Sequence, residues 1–232
     1  MRKIKVLTNF LEANDAVALE NKKLFDKHKI LVLNLMSSPG AGKTLILEKT
    51  IEKLKKHFKF AVIEGDVATS NDAKRLAKYD IPVVQITTES FGGACHLDAS
   101  MINKAIQGLK LSSIQIIFIE NIGNLICPAE FDLGEDRKVI VLSLTEGEDK
   151  PSKYPVVFRN SDLLLINKVD LLPQLDIDVD LILKNTKKVN HKLPAIQLSA
   201  KTEQGFKKWL DWLVKEYKSK PKRKVCSGKW RE

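Results

Sequence analysis

The order of apolar and polar positions along the chain switches repeatedly between two periods. Strand candidates rich in β-branched residues or leucine occupy residues 30–36, 60–64, 83–86, 114–119, 139–144, 163–166 and 195–198, and several are near-continuous apolar runs. Runs without polar alternation are what strands covered on both faces require. Stretches of helical period lie between them, at 45–56, 72–78, 97–108, 179–188 and 205–218. A further amphipathic helix over about 9–28 precedes the first strand, with Leu11, Leu19, Leu24 and Phe25 as its expected buried stripe. The alternation predicts an α/β fold of three layers with a mainly parallel sheet. Ligands of such sheets bind outside the carboxyl ends of the strands. No repeat or low-complexity linker interrupts 1–217, so a single domain is expected there, followed by a flexible basic tail over 218–232.

The first strand runs into Ser37-Ser38-Pro39-Gly40-Ala41-Gly42-Lys43-Thr44, and a helix follows from Leu45. Strand, tight glycine turn and helix N-terminus together are the context of a P-loop. Gly40 and Gly42 allow the sharp turn that aims successive N–H groups inward, and the positive helix end completes an anion cradle. The cradle spans Pro39, Gly40, Ala41, Gly42, Lys43, Thr44 and Leu45, with Lys43 reaching the β- and γ-phosphates and the Thr44 hydroxyl binding Mg²⁺. Ser37 stands where the usual pattern has its first glycine.

Two later motifs also follow strands, and so belong on the same sheet edge: Asn167-Lys168-Val169-Asp170 and Ser199-Ala200-Lys201. Guanine offers N1–H and N2–H₂ as adjacent donors, and the Asp170 carboxylate can accept both. Adenine would leave that carboxylate unpaired, at about 1–3 kcal/mol. The Lys168 stem can cover the base, Asn167 can brace the loop, and the Ala200 amide can donate to the guanine oxygen. The ordered trio of motifs points to GTP and GDP rather than ATP.

Two strand ends are acidic: Glu64-Gly65-Asp66 and Glu120-Asn121-Ile122-Gly123. A carboxylate there can hold Mg²⁺ directly or through a retained water. Thr44, Asp66 and Glu120 are the candidate Mg²⁺ ligands, with Glu64 in support, and Lys43, Asp66 and Glu120 the candidate catalytic residues. Gly123 lets a backbone N–H approach the γ-phosphate. Hydrolysis would be direct attack by water, driven by positioning and charge neutralisation. Asn124 rather than glutamine follows Gly123, and no arginine stands out as a finger, so intrinsic turnover below about one per second is expected.

Cys95, His96 and Cys127 form a second constellation, with Cys127 just beyond the γ-phosphate loop. Two thiolates and an imidazole suit Zn²⁺ or Ni²⁺, leaving a fourth position for water or a second subunit. A buried cysteine is also an ordinary small apolar residue, so spacing alone leaves both readings open. Cys226 reads as incidental.

Composition narrows the class. The apolar fraction of 44% supports an ample core. No run approaches the roughly 18 apolar residues of a membrane span. No signal-peptide pattern opens the chain, and three cysteines are too few for a disulfide scaffold, so a cytoplasmic location with free thiols is expected. The formal charge is +10, but residues 215–232 carry eight basic groups against Glu216 and Glu232, which is +6 of that total. No nucleic-acid-binding motif accompanies them, so neither nucleic acid nor membrane is an expected partner.

These motifs together resemble the HypB family of hydrogenase nickel-insertion GTPases. The resemblance runs to about Lys218 and rests on Ala13-Asn14-Asp15, 37–44, Glu64-Gly65-Asp66, Cys95-His96-Leu97-Asp98, Glu120-Asn121-Ile122-Gly123, 145–151 and Asn167-Lys168-Val169-Asp170. It implies the SIMIBI class of P-loop NTPases, which includes signal-recognition and MinD-like proteins, and a GTP-dependent homodimer. It also implies that Cys95, His96 and Cys127 form a Ni²⁺ or Zn²⁺ site near the dimer interface. The cargo would be nickel delivered to the hydrogenase large subunit, with a small zinc-containing nickel chaperone as partner. The N-terminal cysteine cluster and histidine-rich stretch of some members are lacking; only His28, His57, His96 and His191 occur. Rival readings are a GTPase chaperone for urease or another cofactor enzyme, a nucleic-acid regulator acting through the tail, and a metal sensor with a static nucleotide.

Overall fold

A computed structural model describes residues 6–67, 70–91 and 93–220. In chain order the elements are α1 (Val6–His28), β1 (Leu31–Ser37), α2 (Lys43–Leu54), β2 (Phe60–Asp66), α3 (Asn71–Ala77), β3 (Val83–Thr87), α4 (Ala99–Ile106), β4 (Ile116–Glu120), β5 (Arg137–Ser143), α5 (Lys150–Lys153), α6 (Pro155–Arg159), β6 (Leu163–Asn167), α7 (Val179–Val189), β7 (Ala195–Gln197) and α8 (Phe206–Ser219). The seven strands form one sheet in the order β3-β2-β4-β1-β5-β6-β7, with every pairing parallel. This is the three-layer architecture expected from the alternating pattern.

Successive side chains of a strand point to opposite faces, and the core divides accordingly. Leu31, Leu33 and Leu35 of β1 face α2, α3 and α8, where Ile46, Leu47, Leu76, Phe206 and Trp209 close one layer. Val32 faces α1 and α4 through Phe25, Met101 and Ile102. Further along the same face, Ile140, Leu164 and Ile166 meet Val157, Phe158 and Ile182 of α6 and α7. Each fully buried large side chain of this kind contributes about 1.5–3 kcal/mol. Trp209 also satisfies its indole N–H, which donates to Thr50 Oγ1 at 2.8 Å.

Three expectations are corrected. Leu19 does not belong to the buried stripe of α1; it is 55% exposed. The buried face instead carries Asn14, Ala18, Asn21 and Phe25. Asn14 accepts the Ala99 N–H at 2.9 Å and donates to the Asp132 carbonyl, while Asn21 donates to Ala99 and Leu133 carbonyls. Polar residues thus hold positions that an apolar count passes over. Second, α4 starts at Ala99 because Asp98 caps it, accepting from the Met101 N–H at 2.8 Å. Third, residues 218–220 belong with the folded domain rather than the tail. Helix α8 continues to Ser219, and the side chain of Lys220 is 7% exposed, donating to the Ile30 carbonyl and to Asp136 Oδ2. Residues 221–232, including Cys226, lie outside the described residues.

Among the described residues, no helix is long and apolar enough to cross a membrane.

Candidate functional site

β1 lies between β4 and β5, so the loop leaving it emerges at the middle of the carboxyl edge. Gly42 stands at φ +100°, in the left-handed region that favours glycine. A Cβ there would sit 2.5 Å from Asn167 Nδ2. The phosphate loop and the Asn167 motif are therefore packed in contact. Asn167 is 2% exposed; its Nδ2 donates to the Ala41 carbonyl at 2.8 Å, and its Oδ1 accepts the Ala200 N–H at 3.1 Å. Lys168, itself at φ +65°, sends Nζ to the Gly40 carbonyl at 2.8 Å, so its stem runs back towards the phosphate loop. One asparagine and one lysine fasten the three motifs together.

A cleft of about 560 Å³ opens beside the loop, walled by Pro39 to Leu45, Glu64 to Val67 and Glu120 to Gly123. Lys43 is buried, and its ammonium donates to Ser37 Oγ at 2.8 Å. The serine that departs from the usual loop pattern thus supplies a hydroxyl partner for the lysine. Burial pulls the Lys43 pKa down, with Glu120 opposing. The Thr44 hydroxyl donates to Glu120 Oε1 at 2.7 Å. Glu64 and Glu120 pair in register on β2 and β4, and each has a buried Oε2 without a hydrogen-bond partner. Burial first, and then the Glu120 charge, push Glu64 up to about 8; burial likewise lifts Glu120 to about 7, against the pull of Lys43. Two buried carboxylates with spare oxygens beside a threonine hydroxyl suit a hard cation that keeps some of its waters. Asp66 ends β2 in the same wall.

The base loop carries a similar vacancy in hydrogen bonding. Asp170 Oδ1 is buried and accepts no hydrogen bond, which is unusual unless a ligand donor completes it. The Ala200 amide, expected to face the base, is directed to Asn167 instead. Ser199 is fully buried and shapes the turn, its Oγ accepting the Thr202 N–H at 3.0 Å, whereas Lys201 is exposed.

Two further residues line the cleft that the sequence reading passed over, Asp72 and Arg75 of α3. The Arg75 guanidinium is gripped by Glu48 on two nitrogens, at 2.5 and 3.2 Å, and by Asp72 at 2.9 Å. Their only sequence signal is a helix soon after an acidic strand end, too common to single them out.

Cys95, His96 and Cys127 come together with ligand atoms all within 4.8 Å of one another. The two sulfurs are 2.7 Å apart, and Cys95 Sγ lies 3.9 Å from His96 Nδ1. Both cysteines are free thiols. His96 stacks on Phe131 with ring centroids 3.9 Å apart, and burial lowers its pKa, favouring the neutral imidazole that binds metals. The cluster adjoins the cleft. Gly123 lies against Pro39 of the phosphate loop so closely that a Cβ would come within 3.0 Å. The next residue, Asn124, donates to the Cys95 carbonyl at 3.2 Å.

Residues 31–197 match the CobW/HypB/UreG nucleotide-binding domain. A hydrogenase maturation factor HypB from Azotobacter chroococcum mcd 1 is 47% identical over 215 residues, covering 93% of this chain and 70% of that protein. The crystal structure of HypB from Helicobacter pylori in complex with nickel superposes with a TM-score of 0.84 at 37% identity, covering 91% of this chain and 98% of the other. In fold alone, the signal recognition particle receptor FtsY from Elizabethkingia anophelis is also similar, with a TM-score of 0.53 at 15% identity over 84% of this chain and 67% of that one.

Proposed function

This chain belongs to the HypB family of hydrogenase maturation factors, with the P-loop fold of the SIMIBI class, and from that premise we propose that it is a GTP-binding and GTP-hydrolysing nickel metallochaperone. Nucleotide state would govern homodimerisation and the transfer of nickel during hydrogenase maturation. The observation that carries this reading is the Gly123–Asn124 joint, where consecutive residues of one loop touch the phosphate loop and the Cys95 carbonyl.

In this reading Pro39 to Leu45 cradle the phosphates, with Lys43 turning from Ser37 to the β- and γ-oxygens. Asp170 selects guanine by accepting its paired donors, Lys168 covers the base, and Asn167, Ser199, Ala200 and Lys201 shape the pocket. Thr44, Asp66 and Glu120 would hold Mg²⁺, supported by the spare oxygens of Glu64 and Glu120; when bound, that ion neutralises charge on the phosphate oxygens. Gly123 presents a backbone N–H to the γ-phosphate. Cys95, His96 and Cys127 take up Ni²⁺ or Zn²⁺ as cargo. Exposed Val67 and Ile126 adjoin Asp66 and Cys127, and offer apolar surface to a second copy beside both sites. A small zinc-containing nickel chaperone and the hydrogenase large subunit are the proposed partners, in the cytoplasm.

Parallel assays of GTP and ATP turnover test the reading, with nickel stoichiometry measured on the same protein. GTP is expected to turn over slowly, below about one per second, and ATP not measurably. Asp170→Ala should weaken GTP binding by about ten- to a hundredfold, the worth of a lost buried hydrogen-bonding group. Cys95→Ala should lose bound nickel while keeping GTP. Equal use of both nucleotides would overturn the guanine assignment, and nickel retained by Cys95→Ala would overturn the cargo site.

A further inference from the structure

Asn121 stands between the loop that approaches the phosphates and the loop that carries Cys95 and His96. It directly follows β4 and is 1% exposed. Its backbone N–H donates to the Leu35 carbonyl of β1 at 3.0 Å, which fixes its own position to the sheet. Its side-chain Oδ1 accepts two backbone N–H groups, from Ile122 at 2.9 Å and from Leu97 at 3.3 Å. Ile122 precedes Gly123, and Leu97 follows His96. One buried oxygen therefore holds an amide from each loop.

The orientation of this carboxamide is dictated by its neighbours. Glu135 Oε1 accepts from Asn34 Nδ2 at 3.1 Å, which leaves Asn34 Oδ1 to accept from Asn121 Nδ2 at 3.2 Å. Asn121 then has only its oxygen to offer the two backbone donors. Leu97 is itself fully buried, and its side chain packs on Gly65 of β2, within 2.8 Å of where a Cβ would lie. The segment after His96 thus rests on the wall of the phosphate cleft.

We propose that Asn121 is the positioning residue that couples nucleotide state to the geometry of the metal cluster. This deepens the reading above and rests on it. When the Ile122–Gly123 backbone moves towards a γ-phosphate, the shared oxygen must redistribute its two hydrogen bonds. Both of these hydrogen bonds are buried, and Leu97 is fully so, so an amide released from Asn121 has no ready substitute acceptor. Leu97 therefore moves with Ile122, and carries His96 and Cys95 with it. The Asn124 contact with Cys95 is solvent-exposed, so water can replace it, and it transmits less.

The test measures Ni²⁺ affinity of the full chain loaded with GDP or with a non-hydrolysable GTP analogue, in wild type, Asn121→Ala and Asn121→Asp. In wild type the two affinities should differ by about fivefold or more, the lower end of ordinary coupling. Asn121→Ala should bring the ratio below about twofold while the GDP-state affinity stays within about threefold of wild type. Asn121→Asp keeps the accepting oxygen and should keep the ratio. A wild-type ratio retained by Asn121→Ala overturns the assignment of Asn121 alone. A ratio of one in wild type overturns the coupled-metallochaperone reading itself, and this inference with it. Should Asn121→Ala fail to fold, amide hydrogen exchange in wild type decides. Exchange at the Leu97 N–H should change between GDP and the analogue together with that at Ile122, and an unchanged Leu97 rate contradicts the proposal.

Discussion

Asn167 joins two loops through both ends of a single carboxamide, so its loss is felt on each side. Asn167→Ala would leave the Ala41 carbonyl and the Ala200 N–H without their partner. Each orphaned group costs about 1–3 kcal/mol; urea unfolding should show a loss in that range or somewhat above, with weaker nucleotide binding. The buried carboxylates make a separate prediction. Glu120, raised to about 7, and Glu135, raised by burial to about 7, bind protons in the folded state that the unfolded chain has released. Their stabilising contribution is complete below about pH 4.5 and is lost as pH rises through 7. Nucleotide-free protein should therefore lose stability across that window, by about 1.4 kcal/mol per pH unit for each such group. Glu135→Gln should flatten the slope, and stability rising with pH between 5 and 7, once about that range is scanned by denaturant titration, would contradict the assignment. At this scale the sequence was legible where chemistry and position coincide. Lys43, Asp170 and Cys95 follow strands or glycine turns, whereas Asp72 and Arg75 reach the cleft only because α3 packs beside α2. The role of Asn121 was hidden for another reason: its oxygen reaches Leu97, 24 residues away in the chain.

At the scale of elements, the strands declared themselves because both faces of the sheet are covered. Leu163 to Ile166 are all fully buried, and no polar residue interrupts the run. Helices were less evident where polar contacts replace apolar ones, as on α1, or where they are too short to show a period, as with α5 and α6, each with a proline in its first turn. The end of α8 shows a third case, since a lysine in a basic segment reads as solvated until its partners are known. Lys220 lies beside Asp136 at 2.6 Å and Asp26 at 3.1 Å, and Asp136 is also paired with Lys22. Burial alone would push the Asp136 carboxyl up; the Lys22 and Lys220 hydrogen bonds hold it below the usual carboxylate range. Lys220→Ala should destabilise the protein by about 1–3 kcal/mol, read as a lower urea midpoint, while GTP affinity stays unchanged. A change in nucleotide affinity would show that this end of the sheet communicates with the other.

Across the whole molecule, function is gathered at one edge and fastening at the other. The carboxyl ends of β1, β2, β4 and β6 lead into the glycine loop, the acidic cleft, the loop beside the Cys95–His96–Cys127 cluster and the Asn167–Asp170 loop. The amino end of β1 is where α1, α8 and Lys220 converge around Asp136. Such a layout lets the functional loops shift while the sheet and its opposite edge stay fixed. Sequence gave the order of the motifs, but their mutual contacts, Gly42 on Asn167 and Gly123 on Pro39, are properties of the assembled sheet. In the proposed function, nucleotide binding and metal binding act on one another through this edge. This coupling is tested most directly by titrating Ni²⁺ into wild-type protein saturated with GDP, and again with a non-hydrolysable GTP analogue. Dissociation constants differing by about fivefold or more are predicted; identical constants would contradict the account.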